Sequence, residues 1–174
     1  MIRRRISQFI SAVKAKMSDR DYEFVSSWLN DREQKLFYNM SIPDQCHAIH
    51  TAKTMESLLK AETEHCNERL AYRVALLHDI GRRKKDMGIG GKVTAVLIQS
   101  IFRKKAQRWG TYNPCCCGVR HVLYVYYEHP RIGAEMLKSI GCDEEAEIIC
   151  RHHEAPTAGE PSELRLLRIA DELN

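Results

Sequence analysis

Residues 70–82 read Leu70-Ala71-Tyr72-Arg73-Val74-Ala75-Leu76-Leu77-His78-Asp79-Ile80-Gly81-Arg82. Asn67, just ahead of this run, is a residue type that caps helix N-termini, and glycine is the residue type that most often closes a helix. The pattern predicts a helix that opens at Asn67 and ends at Gly81. Where it ends, an imidazole and a carboxylate stand side by side, and both are metal ligands.

The helical period continues outward in both directions. On the N-terminal side, Ile2, Ile6, Phe9, Ile10, Val13 and Met17 form an amphipathic stripe. Ser18 with Asp21, and Asn30 with Glu33, resemble capping boxes that open two short helices, the first through Phe24, Val25, Trp28 and Leu29, the second through Leu36-Phe37-Tyr38. Pro43 suits the first turn of a long helix reaching Ala61. On the C-terminal side, residues 86–91 form a flexible connection without the strand a phosphate loop needs. Residues 93–102 are apolar and run into Arg103, Lys104, Lys105 and Arg108. They read as a core helix in preference to one lying on an anionic membrane surface. Gly110 to Gly118 is loop. Val122 to Tyr127 is β-prone in isolation, but its helical neighbours make it a helix. His129 precedes Pro130, which predicts a turn or extended residue before a new helix, Ile132 to Ile140, that stops at Gly141. Asp143 caps a helix reaching His153, and Pro161 with Ser162 opens the last. The expected fold is all-α, an orthogonally packed helical bundle, with residues 1–40 as a helical extension packed on a domain spanning 41–174.

Bulk composition narrows the function. The 27 basic and 23 acidic residues leave a net charge of +4, too mild to indicate nucleic acid but suited to an anionic substrate. The seven cysteines include no Cys-x-x-Cys pair, and the basic N-terminus lacks the apolar region and cleavage site of a signal peptide. They read as reduced thiols of a cytoplasmic protein, the run Cys115-Cys116-Cys117 included. No apolar stretch approaches the roughly 18 residues of a membrane span.

Ligand-type residues recur at helix faces and ends: His47, His78, Asp79, His129, His152, His153 and Asp171. With about 100° per residue, His47 borders the apolar face of Ala48, Ala52, Met55 and Leu59, whereas His50 points away from it. His47 alone reads as a hydrogen-bonded boundary histidine, and the other six change its weight. Asp171 shares a face with Leu164 and Leu167, where a carboxylate needs a partner: a metal, an arginine or a helix N-terminus. His152 and His153 diverge on a helix and can reach one centre only from its end. Imidazole and carboxylate without thiolate suit iron, manganese or zinc. So many ligands suit two ions better than one, with Asp79 bridging them through its two oxygens. The basic cluster of Arg82, Arg83, Lys84 and Lys85 reads as a solvated helix end or, beside such a site, as substrate-binding charge.

Four ordered segments resemble the HD-domain metal-dependent phosphohydrolase superfamily. His78-Asp79-Ile80-Gly81 is similar to its His-Asp-Ile-Gly signature, and His129-Pro130-Arg131-Ile132-Gly133-Ala134 to a His-Pro-x-Ile-Gly-Ala segment of its dinuclear branches. His152-His153-Glu154 resembles their His-His-Glu, and Arg168-Ile169-Ala170-Asp171 the closing segment with the last aspartate. The resemblance covers about residues 43–174. It implies an HD-type helical fold with His47, His78, Asp79 and Asp171 as core ligands, His129 and His152 completing a second site, and His153 as a further candidate. It also implies a metal-activated hydroxide acting on a phosphoester or phosphoanhydride of a small substrate such as a nucleotide or dinucleotide. Asp79 and Arg82 are then the catalytic residues, with Arg82 and Arg83 holding substrate. Many members carry lysine where Arg82 stands, and arginine keeps the charge but not the point geometry. The Gly-Tyr-Pro motif of the cyclic-di-GMP phosphodiesterase branch is replaced by Ala155-Pro156-Thr157, which argues against that substrate. Two other readings of the same residues are an HD-fold di-iron oxygenase and a non-catalytic HD sensor or interaction domain.

Overall fold

A computed structural model describes residues 16–62, 65–86 and 118–174. Within them the chain is all-helical: α1 (Asp19–Trp28), α2 (Asp31–Tyr38), α3 (Ile42–Ala61), α4 (Glu68–Leu77), α5 (Val119–Lys138), α6 (Asp143–Arg151) and α7 (Ser162–Leu173). The readings of Ile2–Val13, residues 87–91, the apolar run 93–102 with its basic end, the loop 110–117 and the three adjacent cysteines lie outside the described residues. Among the described residues no helix is long and apolar enough to cross a membrane. Cys46, Cys66, Cys142 and Cys150 are free thiols.

Helix α4 is the hub. Leu70, Ala71, Tyr72, Val74, Ala75, Leu76 and Leu77 are all buried, the signature of a helix surrounded by others. It packs against α1, α2, α3, α6 and α7. Each fully buried leucine contributes about 1.5–3 kcal/mol, so the run Leu76-Leu77 drives the end of α4 into the core and carries the next residues with it. Tyr72 stacks on Trp28 with ring centroids 3.9 Å apart and planes 12° apart, which fastens α1 to the hub. Val25, Leu29, Phe37 and Met40 belong to the same continuous core as α4. The described part of the N-terminal extension therefore shares the interior of the domain.

One polar residue of α4 is enclosed by carboxylates. Arg73 pairs with Glu33 of α2 and, at 2.5 Å, with Glu145 of α6, whose side chains are 1% and 4% exposed. Glu33 also completes the capping box of α2 by accepting the Asn30 N–H at 2.8 Å. The Ser18–Asp21 box of α1 forms as well. Local helix-start signals and a long-range ion triad thus share one carboxylate.

Three expectations need correction. Helix α4 ends at Leu77, and Gly81 is not left-handed: Gly118, Gly141 and Gly159 are the positive-φ glycines. Glycine is required at 81 by close approach, since a Cβ there would fall on the His129 carbonyl oxygen and 2.9 Å from the His129 Cα. Second, His129 and Pro130 do not break the chain into turn and helix; both lie inside the 20-residue α5. Third, Cys142 is the N-cap of α6 and Asp143 its first residue, while the helix stops at Arg151, before His152 and His153.

Arg73→Ala leaves two buried carboxylates uncompensated, and we expect a loss of about 3–5 kcal/mol in urea unfolding. Gly81→Ala forces the turn away from α5, and its expected cost is at least about 1–3 kcal/mol, from backbone overpacking. A Gly81→Ala protein as stable as the parent would show that the two segments are not in register.

Candidate metal centre

Five segments converge on one point. His47 comes from α3, His78 and Asp79 from the turn that follows α4, His129 from the middle of α5, His152 and His153 from the end of α6, and Asp171 from the last turn of α7. The imidazoles form a continuous series. Ring centroids lie 5.3 Å apart for His47–His78, 5.5 Å for His78–His152, 5.4 Å for His129–His152 and 4.0 Å for His152–His153. His50 is exposed, as its place on the helix face predicted.

Three of these histidines are fixed by one device. His78 Nδ1 bonds the Ala75 carbonyl at 2.9 Å, His129 Nδ1 the Tyr126 carbonyl at 2.9 Å, and His152 Nδ1 the Ile149 carbonyl at 2.6 Å. Each acceptor is a backbone carbonyl three residues back. Ala75 lies in the last turn of α4, where carbonyls lack intrahelical partners, and Ile149, in the last turn of α6, accepts the His152 backbone N–H at 3.4 Å as well as the ring. Tyr126 lies four residues before Pro130, which has no N–H to give it. The proline that sequence reading took as a helix break thus frees an acceptor for the histidine beside it. With Nδ1 donating to a carbonyl, each ring turns its Nε2 inward, the arrangement that metal-bound histidines adopt.

Those inward atoms are short of partners. Among the described residues, His78 Nε2, His152 Nε2 and Asp79 Oδ1 are buried without a hydrogen bond. His78 Nε2 stands 3.6 Å from both Asp79 Oδ2 and Asp171 Oδ1, and Asp171 Oδ1 meets His47 Nε2 at 2.9 Å. Two atoms each ~2.1 Å from one ion lie about 3.0–3.4 Å apart, so the spacings of 2.9 and 3.6 Å bracket that range and shifts of a few tenths of an ångström would bring these donors onto a shared ion. Two groups of three have ligand atoms all within 4.8 Å of one another: His47, His78 and Asp79, and His129, His152 and His153. Asp79 lies between them. Its Oδ2 faces His78, and its Oδ1 lies 3.2 Å from His129 Nε2. The donor set therefore fits a divalent ion, with no thiolate and with unpaired buried nitrogens directed at one another.

Electrostatics divide the cluster. Burial opposes charge on His78, but Asp79 and Asp171 outweigh it and push the imidazole up to about 9. Burial, then the Arg82 guanidinium, push His129 down to about 4. Burial and neighbouring imidazoles hold His152 well below its ordinary value, and burial lowers His153. Burial would raise both carboxylates, yet Arg82 and His78 hold Asp79 far below the usual range, and His47 and His78 do the same for Asp171. Asp171 is at the core's edge, with its side chain 22% exposed, rather than inside it.

The two arginines differ in placement. Arg82 donates to Asp79 Oδ2 at 2.8 Å and to His129 Nε2 at 3.0 Å. Arg83 turns instead to Asp86, and its backbone bridges to Met40. A cavity of about 440 Å³ opens beside the cluster, lined by His152, His153 and Asp171 together with Arg165, Arg168 and Glu160. Arg168 is held by Glu160 at 2.6 Å and by the Arg151 carbonyl at 3.2 Å. Sequence reading missed Arg165 as a wall of this cavity. Its spacing from Arg168 and Asp171, three residues each along α7, was the available signal. No protein-family model, curated protein or solved structure matches the chain.

Asp79→Ala removes the one carboxylate that faces both groups, and we expect it to abolish bound metal in total-metal analysis of purified protein. His50→Ala should retain the parent's content. Equal loss in both variants would place the centre on the other face of α3.

Proposed function

We propose that this chain is a metal-dependent phosphohydrolase of the HD-domain kind, acting on a small phosphoester or phosphoanhydride such as a nucleotide or dinucleotide. The observation that carries this reading is the set of inward Nε2 atoms, held by backbone carbonyls and lacking partners, around a carboxylate with one oxygen toward each ligand group. His47, His78, Asp79 and Asp171 would hold one ion, and His129, His152 and His153, with Asp79, a second; iron, manganese or zinc suits these donors. Such ions supply Lewis acidity toward a phosphoryl oxygen and make water nucleophilic at neutral pH.

The chain's own residues supply position and charge. The Nδ1–H bonds to Ala75, Tyr126 and Ile149 keep three imidazoles in a single tautomer, so the donors do not rearrange when substrate arrives. The adjoining cavity gives an anionic group a route to His153 and Asp171 past Arg165 and Arg168. Glu160 fixes the Arg168 guanidinium against the end of α6, which keeps that charge at the cavity wall. Arg82 places a further permanent cation at the cluster itself.

The test is a panel of phosphomonoesters, phosphodiesters and nucleoside polyphosphates, assayed with manganese or iron. Hydrolysis that chelation abolishes and metal restores is expected, and Asp79→Asn should lose it by at least about a thousandfold, the scale of removing an electrostatic component of an active site. A metal-loaded protein that turns over nothing in the panel would sink the enzymatic reading. Oxygen-dependent turnover without phosphate release would replace it by an oxygenase.

A further inference from the structure

The two ligand groups are unequal in charge, and Arg82 stands at their junction. The first group, His47, His78 and Asp79, is joined by Asp171 through His47 and His78, which brings two carboxylates to one place. The second, His129, His152 and His153, is three imidazoles. Between them the Arg82 guanidinium donates through Nη1 to Asp79 Oδ2 at 2.8 Å and through Nη2 to His129 Nε2 at 3.0 Å. One of these acceptors is a carboxylate oxygen and the other an imidazole lone pair. They are the two donor types a divalent ion would take from the same residues, and a guanidinium meets them as a flat, permanently charged fork.

We infer that Arg82 is the built-in cation of the second group: one divalent ion binds first among His47, His78, Asp79 and Asp171, and a second enters at His129, His152 and His153 only by displacing the guanidinium from Asp79 and His129. The inference rests on the reading of the cluster as a metal centre. Arginine cannot leave by losing its proton, so the only way to clear His129 is for the side chain to swing. Arg82 belongs to the turn after α4, its side chain is 21% exposed, and its Nε is buried without a hydrogen-bond partner among the described residues, so that N–H does not hold the side chain in place. The head is thus retained by its two terminal contacts. Once released, the same guanidinium is free to take a phosphate oxygen, so binding of the second ion and of an anionic substrate are favoured by one movement. Lysine at this position would offer a single point charge and could not span Asp79 and His129 in the same way.

The test uses Mn²⁺ alone, titrated into the full chain by equilibrium dialysis, with electron paramagnetic resonance to detect spin-coupled ion pairs. Parent protein should take up Mn²⁺ in two separated steps, with coupled pairs only in the second. In Arg82→Met the second step should tighten relative to the first by about tenfold or more, a modest share of the repulsion between like charges ~4 Å apart. Arg82→Lys, with the charge kept and the fork lost, should lie between. Two equal steps in the parent, or an Arg82→Met titration with unchanged spacing between steps, would overturn the inference while leaving the metal centre intact. Failure of the parent to bind Mn²⁺, Fe²⁺ or Zn²⁺ would overturn the metal reading itself. Should Arg82→Met not fold, the step pattern of the parent and of Arg82→Lys decides the matter.

Discussion

Asp79 is a carboxylate with 1% of its side chain exposed, and a buried charge of that kind persists only where its surroundings compensate it. The surrounding structure meets that constraint in part, and Oδ1 keeps no hydrogen-bond partner among the described residues. His78 faces one oxygen, His129 lies near the other, and Arg82 reaches back from the next turn. The helices that deliver these residues are held together by apolar burial and, between α4 and α6, by the Arg73–Glu145 pair, so the core fixes the positions and the carboxylate fixes what must be placed there.

The turn from His78 to Arg82 transmits this arrangement between the helices. Leu76 and Leu77 anchor its start in the core, and Gly81 lets the backbone press against α5 at His129. Gly133, one turn further along α5, meets Ile80 and Gly81 in turn. Two small residues thus bring the Asp79 carboxylate and the His129 ring to 3.2 Å. Neither glycine is used for a left-handed backbone; both are used for what they lack. The same economy of local chemistry places the histidines, because each ring bonds a carbonyl three residues back, at a helix end or ahead of a proline.

How much of this was legible in the chain depends on the range of the interaction. The capping boxes at Ser18 and Asn30 form because their hydrogen bonds close within three residues. The inward tilt of His47 and the exposure of His50 follow from helical periodicity alone. Pro130 was misread because its cost in a helix was judged without the replacement bond that His129 supplies, a bond that exists only if the helix continues. Gly81 was misread because its neighbour, the His129 carbonyl, is 48 positions away. The pairing of Glu33, Arg73 and Glu145 joins three helices and leaves no local trace.

The sequence by itself determined an all-helical chain with seven ligand-type residues at helix faces and ends, since hydrophobic period, caps and residue chemistry are properties of neighbours along the chain. Only the tertiary structure decided that these residues meet, that they divide into a carboxylate-rich and an imidazole-rich group, and that Arg82 joins the two while Arg83 turns away to Asp86. Those outcomes depend on distances between segments set by core packing, which adjacent residues neither encode nor reveal.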